Sequence, residues 1–308
     1  MPTLNANGLR IAFATDGDPK GAPLLLIAGL GQQLTAWPDE LVDALAELGF
    51  YVIRFDHRDC GLSTKFAQAG LPNLAAARLK SRIGWPLRPP YTLADMAEDA
   101  IGVLSALGVA RAHVAGVAMG GMIAHRLAAH HASRVLSLTS IMASSGRRGL
   151  PGPGRQVRAA LLRRPARPQD PECMLEHTVG LLKAVGSPAY PTSDKLLRRR
   201  AARCLRRSCC LPGVARQMLA VTAAGDQSAL LRAIAVPTLV IHGAADPVVP
   251  LACGIDSAAA IPGARLEIIE GMGHDLPLQL VERLASLIDA HAHGKMLPDS
   301  TPRFFVKQ

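Results

Sequence analysis

The sequence predicts an α/β fold: a mostly parallel central sheet flanked by helices, with a helical cap inserted late in the chain. Three observations carry this. Short apolar runs alternate with amphipathic stretches along most of the 308 residues. The runs are apolar on both faces, as strands covered by helices on both sides require. The alternation then stops between residues 145 and 232, where the sequence turns basic and helical.

The opening residues, MPTLNANGLRIAFATDG, predict a hairpin with Asn7-Gly8 at its turn. The strand runs follow as PLLLIAG (23–29), YVIRFD (51–56), HVAGV (113–117), VLSLTSIMA (135–143), PTLVIHG (237–243) and ARLEIIEG (264–271). Helical periodicity occupies 38–48, 92–107, 119–131, 252–260 and 276–292. The stretch GRRGLPGPGR (146–155) breaks the pattern with three glycines and two prolines after its arginines. The core is thus expected over 1–144 and 233–308, and the cap over 145–232. A smaller excursion, 65–92, is expected to reach toward the same end of the sheet. The tail 298–308 is expected to be loosely attached.

Composition narrows the function classes. The chain is 49% hydrophobic and 19% charged, an ordinary globular balance. No run of 18 apolar residues exists, so no membrane span is expected. No basic start followed by an apolar run and a small-residue cleavage site is seen either. The six cysteines form no C-x-x-C pair, which argues against zinc and against a disulfide framework. Free thiols in a reducing cytoplasm are the expectation. The net charge of +10 comes from the cap, where 17 Arg and Lys stand against 5 Asp and Glu between Ser145 and Arg232. That excess could serve an anionic partner, but a solvated helix face explains it as well. No nucleic-acid module accompanies it, and Tyr190 is the segment's one aromatic, so nucleic acid is not an expected partner.

Ligands of open α/β sheets bind beyond the carboxyl ends of the strands, so four turns matter. The first is Gly116-Val117-Ala118-Met119-Gly120, between a strand run and a helix. Such a turn has the form Gly-x-Ser-x-Gly when it carries a nucleophile, and Gly116 and Gly120 supply its small neighbours. Its tip here is alanine, which can neither attack a carbonyl nor lose a proton. The second turn, IHGAADPVVP (241–250), offers Asp246 as the acid that orients a histidine. A plain Asp-Pro surface turn would read the same. The third, EGMGHDLP (270–277), offers His274 as general base and acid. Asp275 is too near His274 in sequence to serve its ring. The fourth, AGLGQQLTAW (28–37), is a glycine turn able to aim backbone amides at an oxyanion, with Leu30 and Met119 as the two donors. In the loop DHRDCG, Arg58 and Asp59 are read as structural, and Cys60 lacks a paired base in sequence and is not expected to be catalytic.

In RFDHRDCGLSTK (54–65), HVAGVAMGG (113–121) and the stretch 236–277, the chain resembles the α/β-hydrolase superfamily. Within it, the chain resembles the serine esterase group that includes aclacinomycin methylesterase. The similarity covers most of 1–292 and is weakest in the cap. The resemblance implies a Ser-Asp-His esterase with a helical cap and no cofactor. It maps the nucleophile to position 118, the acid to Asp246, the base to His274 and the oxyanion amides to Leu30 and Met119. Many relatives have His-Gly where this chain has Ala28-Gly29, a mild change because backbone atoms carry that role. Alanine at 118 abolishes covalent catalysis.

The expected function is therefore a carboxylic-ester hydrolase in a disarmed form, inactive or nearly so, through an engineered serine-to-alanine change. Only the nucleophile is missing, while the acid, the histidine and the glycines all remain. A natural ligand-binding protein of this fold is the alternative, as is a hydrolase of lactones, thioesters or C–C bonds. Dehalogenase and epoxide-hydrolase chemistry would need a carboxylate at position 118. The expected partner is a small-molecule ester with a hydrophobic group. The cap's Leu161, Leu162, Met174, Leu175, Leu181, Leu182, Met218 and Leu219 suggest this, although packing within the cap would use them too.

Overall fold

The computed structural model describes residues 1–163 and 165–296. The tail expected to be loosely attached lies outside the described residues. Eight strands form one sheet: β1 (Thr3–Ala6), β2 (Leu9–Asp16), β3 (Ala22–Ile27), β4 (Phe50–Phe55), β5 (Ala112–Val117), β6 (Val135–Ile141), β7 (Thr238–Gly243) and β8 (Arg265–Ile269). Their order is β1-β2-β4-β3-β5-β6-β7-β8. The hairpin β1–β2 and the β2–β4 pair are antiparallel, and every later pairing is parallel. The hairpin turns at Asn7 (φ 48°) and Gly8 (φ 73°), where the two positive φ angles make the primed turn that matches strand twist.

Eleven α-helices are described: α1 (Asp39–Glu47), α2 (Leu74–Arg82), α3 (Leu93–Ala106), α4 (Met119–His130), α5 (Arg155–Leu162), α6 (Pro171–Val185), α7 (Asp194–Arg207), α8 (Leu211–Ala224), α9 (Ser228–Arg232), α10 (Leu251–Ala260) and α11 (Val281–Ala292). Their starts follow capping chemistry. Thr92 and Asp95 form a reciprocal capping box on α3, and Asp170 caps α6 ahead of Pro171.

The central parallel strands β5 and β7 are buried on both faces, and in β3 the period of two divides the core. Leu24 and Leu26 of β3 join α1 and α11 on one side, whereas Leu25 and Ile27 join α3 and α4 on the other. Both clusters reach the sheet's carboxyl edge, one through Ile27 and Met119 and the other through Val117 and Met272.

The segment after β6 is helical. A small cluster of its own, Val179, Leu197 and Ala201 with Leu175 and Leu182, joins α6 to α7. Ala220 of α8 and Leu231 of α9 instead belong to the core cluster around α3 and α4. The apolar residues of this segment thus serve packing in part. Met174 and Leu219 are buried, while Leu162 is exposed. The 65–92 excursion carries α2, which packs on α8.

Candidate active site

The turn between β5 and α4 is where the backbone is most compressed. A Cβ on Gly116 would lie 2.3 Å from Gly120 O, and one on Gly120 would lie 2.1 Å from Ile27 O. One on Gly121 would meet the Ala143 methyl at 2.5 Å. Only glycine lets β5, α4 and β3 approach this closely. At the tip, Ala118 has φ 52° and ψ −116°, a conformation costly for any residue with a Cβ, roughly 1–3 kcal/mol. Its amide donates to Ile141 O (2.9 Å), extending the β5–β6 ladder, and its carbonyl accepts from Met122 N (3.1 Å). Ala118 is partly exposed and borders the core cluster that holds Met272 and Val117.

Asp246 and His274 come together from the turns after β7 and β8. His274 Nδ1 lies 2.7 Å from Asp246 Oδ2. A carboxylate can only accept, so the imidazole carries its proton on Nδ1 and leaves Nε2 with its lone pair. The second oxygen, Asp246 Oδ1, accepts from the Val248 and Val249 amides, each at 2.8 Å. The Asp246 carboxylate is wholly buried, while the His274 imidazole is partly exposed, at 13%. Three fixed donors therefore hold one anion, and its orientation is settled before any ligand arrives.

His242, on β7, also faces this carboxylate, with Nε2 3.7 Å from Asp246 Oδ2. Its hydrogen bond goes elsewhere, Nε2–H donating to Val249 O at 2.7 Å. Burial depresses its pKa, so it stays neutral and does not compete with His274 for the anion. Asp275 is turned away, accepting from Ser187 Oγ.

The helical segment after β6 clamps the histidine loop. His274 N donates to Val185 O (2.8 Å) at the end of α6, and Gly273 N donates to Ser187 Oγ (2.8 Å). A Cβ on Gly273 would lie 2.5 Å from Gly186 O, which explains the glycine. No sequence motif announced this junction.

The glycine turn after β3 is likewise held at both ends. Gly29 N donates to Gln32 Oε1 (2.9 Å) and Gly31 N to Gln217 Oε1 (2.8 Å). Gly31 has φ 69°. Between them the Leu30 amide has no acceptor among the described residues, and neither has the Met119 amide, the first of α4. A helix N-terminus and a turn amide left open at the same sheet edge suit a developing negative charge. Gln217 also donates from Nε2 to Arg58 O (2.9 Å) and is fully buried. It ties α8 to two core loops, and its position in a weakly patterned segment gave no signal.

The DHRDCG loop is a buttress. Arg58 makes paired bonds to Asp99 (2.6 and 2.7 Å), and Asp59 receives paired bonds from Arg216 (2.7 and 2.8 Å) and one from Tyr91 (2.7 Å). Asp56 takes the Leu34 and Leu62 amides and the Arg207 guanidinium. Burial pushes the Cys60 thiol up to about 12, so it holds no thiolate at neutral pH.

A family model described as the alpha/beta hydrolase fold matches residues 22–279. The chain belongs to the α/β-hydrolase fold family. Rhodomycin D methylesterase DauP of Streptomyces sp. (strain C5) is 33% identical over 298 residues, covering 90% of this chain and 93% of its own. Rhodomycin D methylesterase DnrP of Streptomyces peucetius is 32% identical over 316 residues, covering 96% and 99%. Among solved structures, a meta-cleavage product hydrolase from Pseudomonas fluorescens superposes with a TM-score of 0.74 at 21% identity, over 96% of this chain and 98% of that one. That likeness bears on the α/β-hydrolase fold alone. No helix among the described residues is long and apolar enough to cross a membrane.

Proposed function

We propose that this chain carries the site of a carboxylic-ester hydrolase whose nucleophile position, 118, is occupied by alanine. The observation that carries the reading is the Asp246–His274 pair, its carboxylate buried and oriented by 2.7 Å and 2.8 Å hydrogen bonds, at the sheet edge where Ala118 keeps a strained backbone. Neither feature benefits a chain with no use for position 118. The identity to two methylesterases over nearly the whole chain supports an ester, and a methyl ester first.

With serine at 118, His274 Nε2 takes the hydroxyl proton as Oγ attacks the ester carbonyl. The Leu30 and Met119 amides receive the oxyanion, and Asp246 stabilises the imidazolium. The proton then leaves with the alcohol, and water releases the acid by the same route. A cap formed from 145–232, with α9 as its seat on the core, covers the site and sets the substrate's hydrophobic group.

As alanine, position 118 supports binding without turnover. The second reading, a natural ligand-binding protein, rests on that one residue.

The test is Ala118→Ser, assayed with methyl esters of aromatic and aliphatic acids and with a serine-directed phosphonate. A gain of about 10³–10⁶ in rate with stoichiometric labelling is expected, against little turnover and no labelling in the alanine form. A folded revertant that binds esters and neither hydrolyses nor labels would establish the binding protein instead.

A further inference from the structure

Two segments outside the site carry cations without acids. Residues 66–92 hold Arg78, Lys80, Arg82 and Arg88 and no Asp or Glu. Residues 146–169 hold seven arginines and again no acid. The segments adjoin, since a Cβ on Gly84 would lie 3.5 Å from Arg148 Nη2. Both border the candidate site. Helix α2 packs on α8, whose Gln217 holds Gly31, and the Gly154 amide before α5 donates to Pro247 O, next to Asp246.

What these segments show to solvent is unusual for a globular surface. On α2 and the loop after it, Leu79 (63%), Ile83 (68%) and Trp85 (62%) are exposed, with Ala77 turned inward. On α5, Leu161 (41%) and Leu162 (60%) are exposed, with Val157 turned inward. Exposed cations flank them: Arg78, Lys80 and Arg82 on the first segment, Arg155, Arg158 and Arg163 on the second. None of these six forms an ion pair among the described residues, although Arg147 pairs with Asp256 and Arg167 with Asp170 at the margins. The basic run of α7 behaves differently, because Arg198, Arg203 and Arg207 are spent on Glu176, Asp39 and Asp56.

We propose that α2, the loop through Trp85 and α5 form a docking surface for an anionic lipid bilayer. Aliphatic and indole side chains would enter the acyl boundary while arginine and lysine stems reach the phosphates. Charge complementarity selects an anionic surface, and the exposed aliphatic residues select lipid over nucleic acid, which gains little from them. Docking would bring the cap against the phase in which a hydrophobic substrate partitions. The surface does not depend on the chemistry at position 118, so its test needs no turnover.

The chain has two tryptophans, Trp85 in solvent and Trp37 at 2% exposure, so a fluorescence shift on binding reports Trp85. The full chain would be titrated with vesicles of phosphatidylglycerol and phosphatidylcholine, and separately with phosphatidylcholine alone. A blue shift and co-sedimentation are expected with the anionic vesicles only. The triple variant Arg78→Gln, Lys80→Gln, Arg82→Gln should weaken partitioning about 100-fold, at roughly fivefold per cation. Ile83→Asp should weaken it as well, and Trp85→Phe should abolish the shift while leaving sedimentation. Unchanged thermal melting would show that these exposed substitutions leave the fold intact. Failure to sediment, equal partitioning to neutral vesicles, binding indifferent to Ile83→Asp, or preference for a DNA duplex over anionic vesicles would each overturn the proposal.

Discussion

At the elbow, Gly116, Gly120 and Gly121 let backbone meet backbone, and no charged group takes part. In the helical segment between β6 and β7, α7 and α8 reach the core through Arg203–Asp39, Arg207–Asp56 and Arg216–Asp59. Both regions position the same sheet edge. The first does so by steric exclusion, which tolerates no added atom. The second does so by ion pairs and amide bonds, whose worth depends on how dry each is. Gly61 lies against one of these ion pairs, since a Cβ there would lie 2.0 Å from Asp56 Oδ2 and 2.5 Å from Arg207 Nη1.

Substitutions can break this contrast at graded depths. The largest effect is expected from Asp246→Asn in the Ala118→Ser background. Its amide would present the wrong partner to His274 Nδ1, and kcat should fall about 10⁴-fold with the melting temperature little changed. Next comes Gly120→Ala, whose methyl would collide with the Ile27 carbonyl. A loss of about 3–5 kcal/mol in urea unfolding is expected, with no rescue by salt or pH. Arg216→Leu should cost a similar 3–5 kcal/mol by leaving Asp59 buried and unpaired, but here Asp59→Leu on top should restore most of it. That rescue is the signature separating the electrostatic region from the steric one. Gln217→Leu, again with serine at 118, frees the Gly31 amide and loosens the Leu30 turn. A tenfold lower kcat with KM within a factor of about two is expected, the mark of a contact that matters only as charge develops. At the bottom, Arg198→Ala on the exposed face of α7 should leave the melting temperature unchanged.

Acid should act through the core. Burial holds His125 and His291 at about 4, below the ordinary histidine value of 6.5. The unfolded chain therefore binds more protons than the folded one between these values. The stability these neutral rings contribute is complete above pH 6.5 and is lost as pH falls toward 4, roughly 1–3 kcal/mol for each. Urea midpoints measured at pH 7.5 and pH 5 should differ accordingly, and His125→Gln should remove that ring's share of the difference while His291 keeps its own.

Strand runs and the helical stretches of the core could be read along the chain because their pattern is local. β3 shows this well, since each of its leucines is buried whichever face it takes. The elbow glycines, Asp246 and His274 could be picked out because each ends a strand run, and strand ends share one edge of a parallel sheet. The charge of residues 145–232 was legible as a number but not as a set of partners. Arg207 and Arg78 look alike in sequence, yet one is clamped on Asp56 and the other stands in solvent.

The sequence by itself therefore determined the layer architecture, the turn glycines and the residue types at the sheet edge, because backbone sterics and hydrophobic period act over a few residues. Only the tertiary structure decided that Gln217 reaches Gly31, that Val185 and Ser187 hold the His274 loop, and that His242 stays neutral beside Asp246. These contacts join residues far apart in the chain, and burial, not spacing, sets the protonation of the groups that make them.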